Sequence, residues 1–299
     1  MSGRPTRGRQ PLPLLVLAVA LLGACNDAIS SSPPATNRPV GPSPVVTSFP
    51  LGTTVWVSGF VVTVVDATAS LDAKGGPVVV RLQIENPGRE AAALEAPIRL
   101  TASGSAFDPV HGTTLPAVPG FGIADVSIQF EVTGRATIAD GVLRIGRTAD
   151  HQVQVPFGPG PVQQVTLQPF ITALKASASS PSFKVALGRA IRRWDLPDWH
   201  DELPLGVALL FVEYDITYTG TFTGGASFTP ANVALKLPDG RLVAPRADGR
   251  SQSILLLRPR KTVQDAFSRF EIPDGMTGKF ALVIKDEGKE TPVPFTIGP

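Results

Sequence analysis

The sequence has little of the material from which most catalytic and metal sites are built. Its 299 residues include one cysteine, three histidines and two methionines. It contains no Gly-x-Ser-x-Gly nucleophile elbow, no His-Glu-x-x-His zinc motif, no phosphate-binding loop and no pair of cysteines. None of the histidines, which are His111, His151 and His200, lies in a nucleophile motif. These absences predict a protein that is not an enzyme and has no cofactor, although paired carboxylates would leave no mark in a sequence.

An excess of charge and a long apolar run are also missing. Removing Arg4, Arg7 and Arg9 from the 27 basic residues leaves 24 against 25 acidic ones, so the charge predicts no nucleic-acid partner. The apolar stretch covers residues 11–24, which is shorter than the roughly 20 residues of a transmembrane helix. Arginines followed by a short apolar segment with small residues at its end are typical of secretory signals, so residues 1–24 are predicted to be a signal peptide.

The single cysteine, Cys25, comes directly after this segment. Leu22-Gly23-Ala24-Cys25 resembles the lipobox of bacterial lipoproteins. The resemblance implies cleavage before Cys25, diacylglycerol on its thiol and N-acylation, for example with palmitate. Two or three acyl chains anchor a protein stably, so membrane attachment on the extracytoplasmic side of the cell envelope is expected. Asn26 and Asp27 leave the inner or outer membrane undecided, and the alternative is an ordinary signal peptide with a chance cysteine.

The residues after the lipobox are expected to be a tether. Residues 25–45 combine Ser30-Ser31-Ser32-Pro33-Pro34 with further prolines and show no hydrophobic periodicity. Such a segment stays disordered or adopts an extended polyproline-like conformation, with a reach of roughly 60 Å. The tether therefore predicts a folded part that is held away from the membrane.

Strict alternation of apolar and polar residues dominates the remaining chain and predicts strands with one buried face. It is clearest in Val80–Glu85 and Val126–Val132. The same pattern predicts strands at Thr54–Val65, Leu143–Ile145, Val153–Phe157, Val212–Tyr218, Val233–Leu237, Phe280–Ile284 and Val293–Ile297. No segment shows a convincing helical stripe, and 29 glycines with 30 prolines fit a loop-rich all-β protein.

The two halves of this part of the sequence echo each other. Phe130-Glu131-Val132 precedes Val155-Pro156-Phe157, and Phe270-Glu271-Ile272 precedes Val293-Pro294-Phe295, with one alternating strand between the members of each pair. The echo predicts two tandem antiparallel β-sandwich domains, at 46–158 and 159–299. The expected boundary is the stiff segment Gly158-Pro159-Gly160-Pro161.

This pattern resembles the Ig-like, telokin-like sandwich domains of unknown function in bacterial lipoproteins. The resemblance rests on the strand Val80–Asn86 with its Pro87-Gly88 turn, and on the hairpin Leu235–Arg241 with its Pro238-Asp239-Gly240 turn. The first half departs from the pattern, because Leu100–Pro109 has no Asp-Gly hairpin. The resemblance implies an extracytoplasmic structural or binding module without shared catalytic residues.

The segment Arg192–Glu202 stands apart, since it contains two of the three tryptophans, one histidine and a dense acidic cluster. In one interpretation it is a loop whose tryptophans cover the end of a sandwich core. In a second it is a ligand platform that could bind a glycan or a peptide through Trp194, Asp195, Asp198 and Trp199. In a third it binds Ca²⁺ through Asp195, Asp198, Asp201 and Glu202, although this spacing matches no known calcium loop.

The expected function is that of a non-enzymatic, lipid-anchored protein which binds or scaffolds another envelope component through its loops or an exposed edge strand. One alternative is a glycan- or calcium-binding module that uses Trp194–Glu202. A remote alternative is a cryptic hydrolase, which would need a cleft with convergent acid and base groups. The basic run Arg258-Pro259-Arg260-Lys261 is expected to be a solvated loop, with contact to anionic headgroups as the minor alternative.

Overall fold

The computed structural model describes residues 44–111, 114–134, 136–246 and 255–298. The predicted signal peptide, Cys25 and the predicted tether up to residue 43 lie outside the described residues. From Pro44 onward the described residues form a single compact unit. In these ranges, no helix has the length and apolar character needed to cross a membrane.

The first half contains two antiparallel sheets of four strands each. One has the order β1-β2-β3-β6 and the other the order β5-β4-β7-β8. The strands are β1 Val45–Val57, β2 Phe60–Leu71, β3 Gly75–Glu85, β4 Ile98–Ala102, β5 Ser105–Phe107, β6 Ile123–Thr133, β7 Val142–Ile145 and β8 Val153–Pro156. A 3₁₀ turn, Ile138–Asp140, precedes β7.

The second half repeats this strand order. One sheet has the order β10-β11-β14-β19 with β9 also paired to β11, and the other has the order β17-β16-β20-β21. Two further pairs, β12 with β13 and β15 with β18, lie outside these sheets, and a 3₁₀ turn covers Pro230–Asn232. The strands are β9 Phe170–Ala173, β10 Ser177–Ser179, β11 Phe183–Arg193, β12 Asp195–Leu196, β13 Asp201–Glu202, β14 Val207–Tyr218, β15 Ala226–Phe228, β16 Val233–Lys236, β17 Leu242–Val243, β18 Leu255–Leu257, β19 Thr262–Pro273, β20 Gly278–Asp286 and β21 Lys289–Ile297.

The alternating pattern determines which side chains are buried. In β3 from Val78 onward and in β14 from Leu210 onward, every second residue is buried in a hydrophobic core, and the residues between them are partly or fully exposed. The first core takes apolar side chains from both sheets of the first half, and the second core does so in the second half. The protein is therefore all-β, built from facing antiparallel sheets, as predicted. The proposed boundary between residues 158 and 159 stays a prediction.

One predicted strand is wrong in a way that matters for the site. The apolar segment Thr54–Val65 is two strands of a hairpin, because Val57 pairs with Phe60 across the two-residue turn Ser58-Gly59. Both turn residues have positive φ, 48° and 78°, which is typical of a type I′ turn. A turn of only two residues barely interrupts an apolar run, so the sequence pattern concealed it.

The hairpin expected only in the second half has a counterpart in the first half. Leu235 pairs with Val243 around the predicted Asp239-Gly240 turn. In the first half β4 pairs with β5 around Ser103-Gly104, whose φ angles are 49° and 76°. A Ser-Gly turn thus replaces the missing Asp-Gly turn.

Candidate functional site

The segment that stood apart in the sequence forms a small hairpin. Asp195 and Leu196 of β12 pair with Glu202 and Asp201 of β13, and the Leu203 amide donates to the Trp194 carbonyl at 2.9 Å. We call residues 194–203 the interface hairpin. It connects the end of β11 to β14 and packs against both halves of the molecule.

Two carboxyl groups of the interface hairpin accept hydrogen bonds from the first half. The Gly59 amide donates to Asp195 Oδ2 at 2.9 Å, and the Ser58 amide donates to Glu202 Oε1. Gly59 is in direct contact with the hairpin, since a Cβ atom at this position would lie 2.7 Å from the Pro197 Cα. The β1–β2 turn is therefore held by a carboxyl pair, and it fits there because residue 59 has no side chain.

The two carboxyl groups of this pair have different surroundings. Asp195 is buried and also accepts a hydrogen bond from Arg193 Nε at 2.6 Å, which supplies a compensating cation. Glu202 Oε2 is inaccessible and has no hydrogen-bond partner. Burial raises the pKa of Glu202 to about 9, the nearby Asp195 and Asp150 add to this effect, and the Ser58 amide opposes it. Glu202 therefore carries a proton at neutral pH, while its Oε1 accepts from Ser58.

A fully buried asparagine fixes the neighbouring loop of the first half. Asn86 Nδ2 donates to the carbonyls of Glu90 and Val118 at 2.8 and 3.0 Å, and its Oδ1 accepts from the Gly88 amide at 2.8 Å. The same Oδ1 lies 2.9 Å from His200 Nε2. The sequence placed Asn86 only at the end of a strand before the Pro87-Gly88 turn, and the structure shows that it also joins the 86–92 loop to the interface hairpin.

A cleft of about 780 Å³ opens between this loop and the second half. The Arg269 guanidinium lies at its wall, 4.9 Å from the Trp199 ring centroid and 5.0 Å from that of Phe267, and it forms an ion pair with Asp198. The rings of Phe267 and Phe211 stack at 4.7 Å. The full lining comprises Arg89, Glu90, Ala91, Ala92, Asp198, Trp199, His200, Phe211, Phe267 and Arg269. The cleft thus combines aromatic surface with charges of both signs.

The second tryptophan of the hairpin has a different position. Trp194 is half-buried against the second core, and its Nε1 donates to Asp274 Oδ1 at 2.8 Å. Its ring lies 6.2 Å from that of His151, whose Nε2 lies 2.9 Å from the Val207 carbonyl oxygen. Trp194 therefore covers the end of the second core, where the two halves meet, and lies outside the lining of the cleft.

The structure brings together only part of the predicted ligand platform. Asp198 and Trp199 line the cleft, whereas the Trp194 ring lies beside His151 of the first half and the buried Asp195 accepts from Gly59. Sequence reasoning missed Arg89, Phe211, Phe267 and Arg269. One signal was available in the sequence. Phe211 and Phe267 occupy positions in β14 and β19 that alternate with buried residues and therefore face outward, where polar residues are usual.

The predicted calcium ligands are not assembled into one site. Asp195 and Glu202 face the Ser58-Gly59 turn, Asp198 pairs with Arg269, and Asp201 Oδ1 accepts from the Glu202 amide at 2.9 Å. Across the part of the chain that the structure describes, no three His, Cys, Asp or Glu side chains are grouped so that they could hold a metal ion. Asp195, Asp198 and Glu202 instead hold the hairpin against neighbouring segments, and the exposed Asp201 bonds only within the hairpin.

Comparisons with known proteins add little to this description. The chain matches no protein-family model and no curated protein sequence. Among solved structures it is similar to the crystal structure of a conserved domain protein from Bacillus anthracis, with 9% sequence identity and a TM-score of 0.24. That match covers 84% of this chain and 88% of the other.

Proposed function

We propose that this protein is a non-enzymatic, lipid-anchored binding module of the bacterial cell envelope, and that it holds its ligand in the cleft beside Trp199. The observation that carries the proposal is the cleft itself, which lies where a loop of the first half faces the outer surface of the β14–β19 sheet. Ligand sites are common at such junctions, because two rigid bodies enclose apolar surface together with a few polar groups. The lipobox and the tether supply the expected attachment to the membrane.

Binding is favoured over catalysis by the contacts of His200 and Asp198, two of the titratable groups that line the cleft. His200 lies within hydrogen-bond distance of Asn86 and its ring is 4.7 Å from that of Phe60. Asp198 forms an ion pair with Arg269. Both side chains are thus occupied in holding the walls of the cleft, and the cryptic hydrolase remains the remote alternative.

A glycan of the envelope is the second candidate ligand. The half-buried rings of Trp199, Phe211 and Phe267 offer apolar faces on which the C–H groups of a sugar can stack. Asp198 and Arg89 lie on the same lining and carry groups that hydrogen-bond hydroxyls. Protein and glycan ligands are separated by the experiment below.

A photo-crosslinking amino acid at Ala91 is expected to capture the ligand in living cells. Ala91 is exposed on the first-half wall of the cleft, so the substitution leaves both cores untouched. The same substitution at Ala106, an exposed alanine in β5, is the matched control. We expect an adduct from position 91 that is absent from position 106, and mass spectrometry identifies it as protein or glycan. Identical adduct patterns from the two positions would rule out the cleft as the binding site.

Metabolic labelling tests the lipid anchor. Cells that express the whole chain and grow with an alkyne analogue of palmitate are expected to label the protein, because N-acylation of a lipidated Cys25 would incorporate it. Cys25→Ser is expected to abolish the label, with Ser30→Ala as a control in the tether. Equal labelling of the Cys25→Ser variant would show that the lipobox resemblance is misleading.

A further inference from the structure

The end of the second half that includes the loop after β14 carries an unusual combination of exposed side chains. Phe222 and Leu256 are 69% and 77% exposed, among the most exposed large apolar residues of the described chain. Arg258, Arg260 and Lys261 follow directly after β18 and are also exposed. We call these five residues the basic tip.

Hydrogen bonds to Tyr218 and the pairing of two strands place the two segments of the basic tip side by side. The Phe222 amide donates to the Tyr218 hydroxyl at 3.1 Å, and the Arg260 amide donates to the Tyr218 carbonyl at 3.1 Å. Ser227 of β15 pairs with Leu256 of β18. A concavity of about 450 Å³ is lined by residues 224–227 and 256–258. The exposed apolar side chains and the cations therefore belong to one surface.

The exposure of Phe222 and Leu256 is built into the local structure. A Cβ atom at Gly224 would lie 2.5 Å from the Phe222 ring, so the glycine makes room for the ring above the loop. In β18, Leu257 is buried in the second core, and the alternation of the strand turns Leu256 outward. The exposure of Phe222 and Leu256 is therefore determined by the loop at Gly224 and by the alternation of β18.

The cations of the basic tip make no ion pair with an acidic side chain of the described residues. Two protruding apolar side chains beside three unneutralised cations fit a surface that is anionic outside and apolar within. We propose that the basic tip binds the surface of a bilayer containing anionic lipids. Phe222 and Leu256 then enter the headgroup region, and the three cations contact lipid phosphates.

None of the five residues of the basic tip lines the cleft, so the membrane contact and the ligand site use different surfaces. Where the chain is anchored through Cys25, the reach of roughly 60 Å expected for the predicted tether would allow the tip to return to a bilayer. Attachment through the anchor raises the local concentration of membrane, so even a weak tip contact would fix the orientation of the second half.

Vesicle sedimentation tests the proposal. The probe protein is the chain from residue 25 with Cys25→Ser, which removes the lipid anchor and retains the compact unit. We expect it to sediment with vesicles of phosphatidylglycerol and phosphatidylcholine, to release at high salt, and not to sediment with phosphatidylcholine alone. Failure to sediment with the anionic vesicles, or equal sedimentation with both kinds, would overturn the proposal.

Matched variants separate the tip from general surface charge. Arg258→Gln, Arg260→Gln and Lys261→Gln together are expected to weaken binding on the order of 100-fold, at roughly 5-fold per cation. Lys74→Gln, Lys175→Gln and Lys236→Gln remove the same charge at exposed positions elsewhere and are expected to have a much smaller effect.

The apolar side chains are tested separately. Phe222→Ser with Leu256→Ser is expected to weaken vesicle binding by about 10-fold or more. Phe121→Ser, at a phenylalanine that is 73% exposed elsewhere, is expected to leave binding unchanged. Equal losses in the tip and control variants would contradict the assignment.

Discussion

Gly59→Ala is expected to destabilise the protein far more than Gly104→Ala, although the two glycines occupy the same position in turns of the same type. Ser58-Gly59 and Ser103-Gly104 both connect adjacent antiparallel strands, and the φ angles of the two glycines are 78° and 76°. Alanine in this left-handed conformation costs about 1–2 kcal/mol in either turn. The two variants therefore share the backbone penalty and differ only in their surroundings.

The surroundings of Gly59 account for the difference. A Cβ atom at Gly104 meets nothing within 4 Å, whereas one at Gly59 would lie 2.7 Å from the Pro197 Cα and 3.1 Å from the His200 Cα. Relief of this contact requires the interface hairpin to move away from the turn, which breaks the bonds from the Ser58 and Gly59 amides to Glu202 and Asp195. Loss of bonds to a buried carboxylate adds about 3 kcal/mol to the penalty.

Urea denaturation of the chain from residue 25, followed by tryptophan fluorescence, measures both effects. We expect a lower midpoint for Gly59→Ala, with a change in the signal of Trp199 and Trp194 before the main transition, because both lie in the interface hairpin. The unfolding curve of Gly104→Ala is expected to keep a single transition, which moves as a whole to a slightly lower urea concentration. Coincident curves for the two variants would show that the hairpin does not depend on the fit at Gly59.

The sequence was sufficient for the architecture because alternation and turns are local properties. The strand predicted at Val126–Val132 lies within β6, and the one predicted at Phe280–Ile284 lies within β20. The internal echo also corresponds to a repeated strand order in the two halves. These features follow from which residues can face a core, and a single strand is enough to show that preference.

The candidate site could be predicted only in part, because it depends on residues that are distant in the chain. Trp199 and Asp198 were recognised because they belong to a segment of unusual composition. Arg89 and Arg269, which line the same cleft, are 110 and 70 residues away from Trp199 in the sequence. The engagement of Asp195 with Gly59 is equally long-range. From the sequence, the acidic cluster therefore left calcium binding open beside the packing interpretation, and only the tertiary structure separates the two.

Raising the pH from about 4.5 to about 9 is expected to destabilise the protein through Glu202. The pKa of Glu202 rises from 4.5 to about 9 on folding, mainly because its carboxyl group is buried between the halves. Below pH 4.5 the group is protonated in the folded and unfolded chains alike, so it contributes no pH dependence. Between the two pKa values the unfolded chain releases a proton that the folded protein retains, and the free energy of unfolding falls by as much as about 1.4 kcal/mol per pH unit.

Glu202→Gln is expected to remove this dependence and to stabilise the protein at neutral pH. The amide oxygen can still accept the hydrogen bond from Ser58, while the side chain no longer ionises in the unfolded state. The gain at pH 7 is expected to reach up to about 3 kcal/mol, and it should shrink towards zero near pH 4.5. Denaturation curves at several pH values measure the difference between the two proteins, and Glu95→Gln at an exposed position serves as the control.

The outcome that would contradict this prediction is a parallel change. If the free energies of unfolding of the wild-type protein and Glu202→Gln change in parallel over this pH range, the Glu202 carboxyl group does not retain its proton in the folded protein. A difference that widens with pH would instead show that the contact with Ser58 is made by a protonated carboxyl group, and that alkaline pH acts on the junction that forms one wall of the cleft.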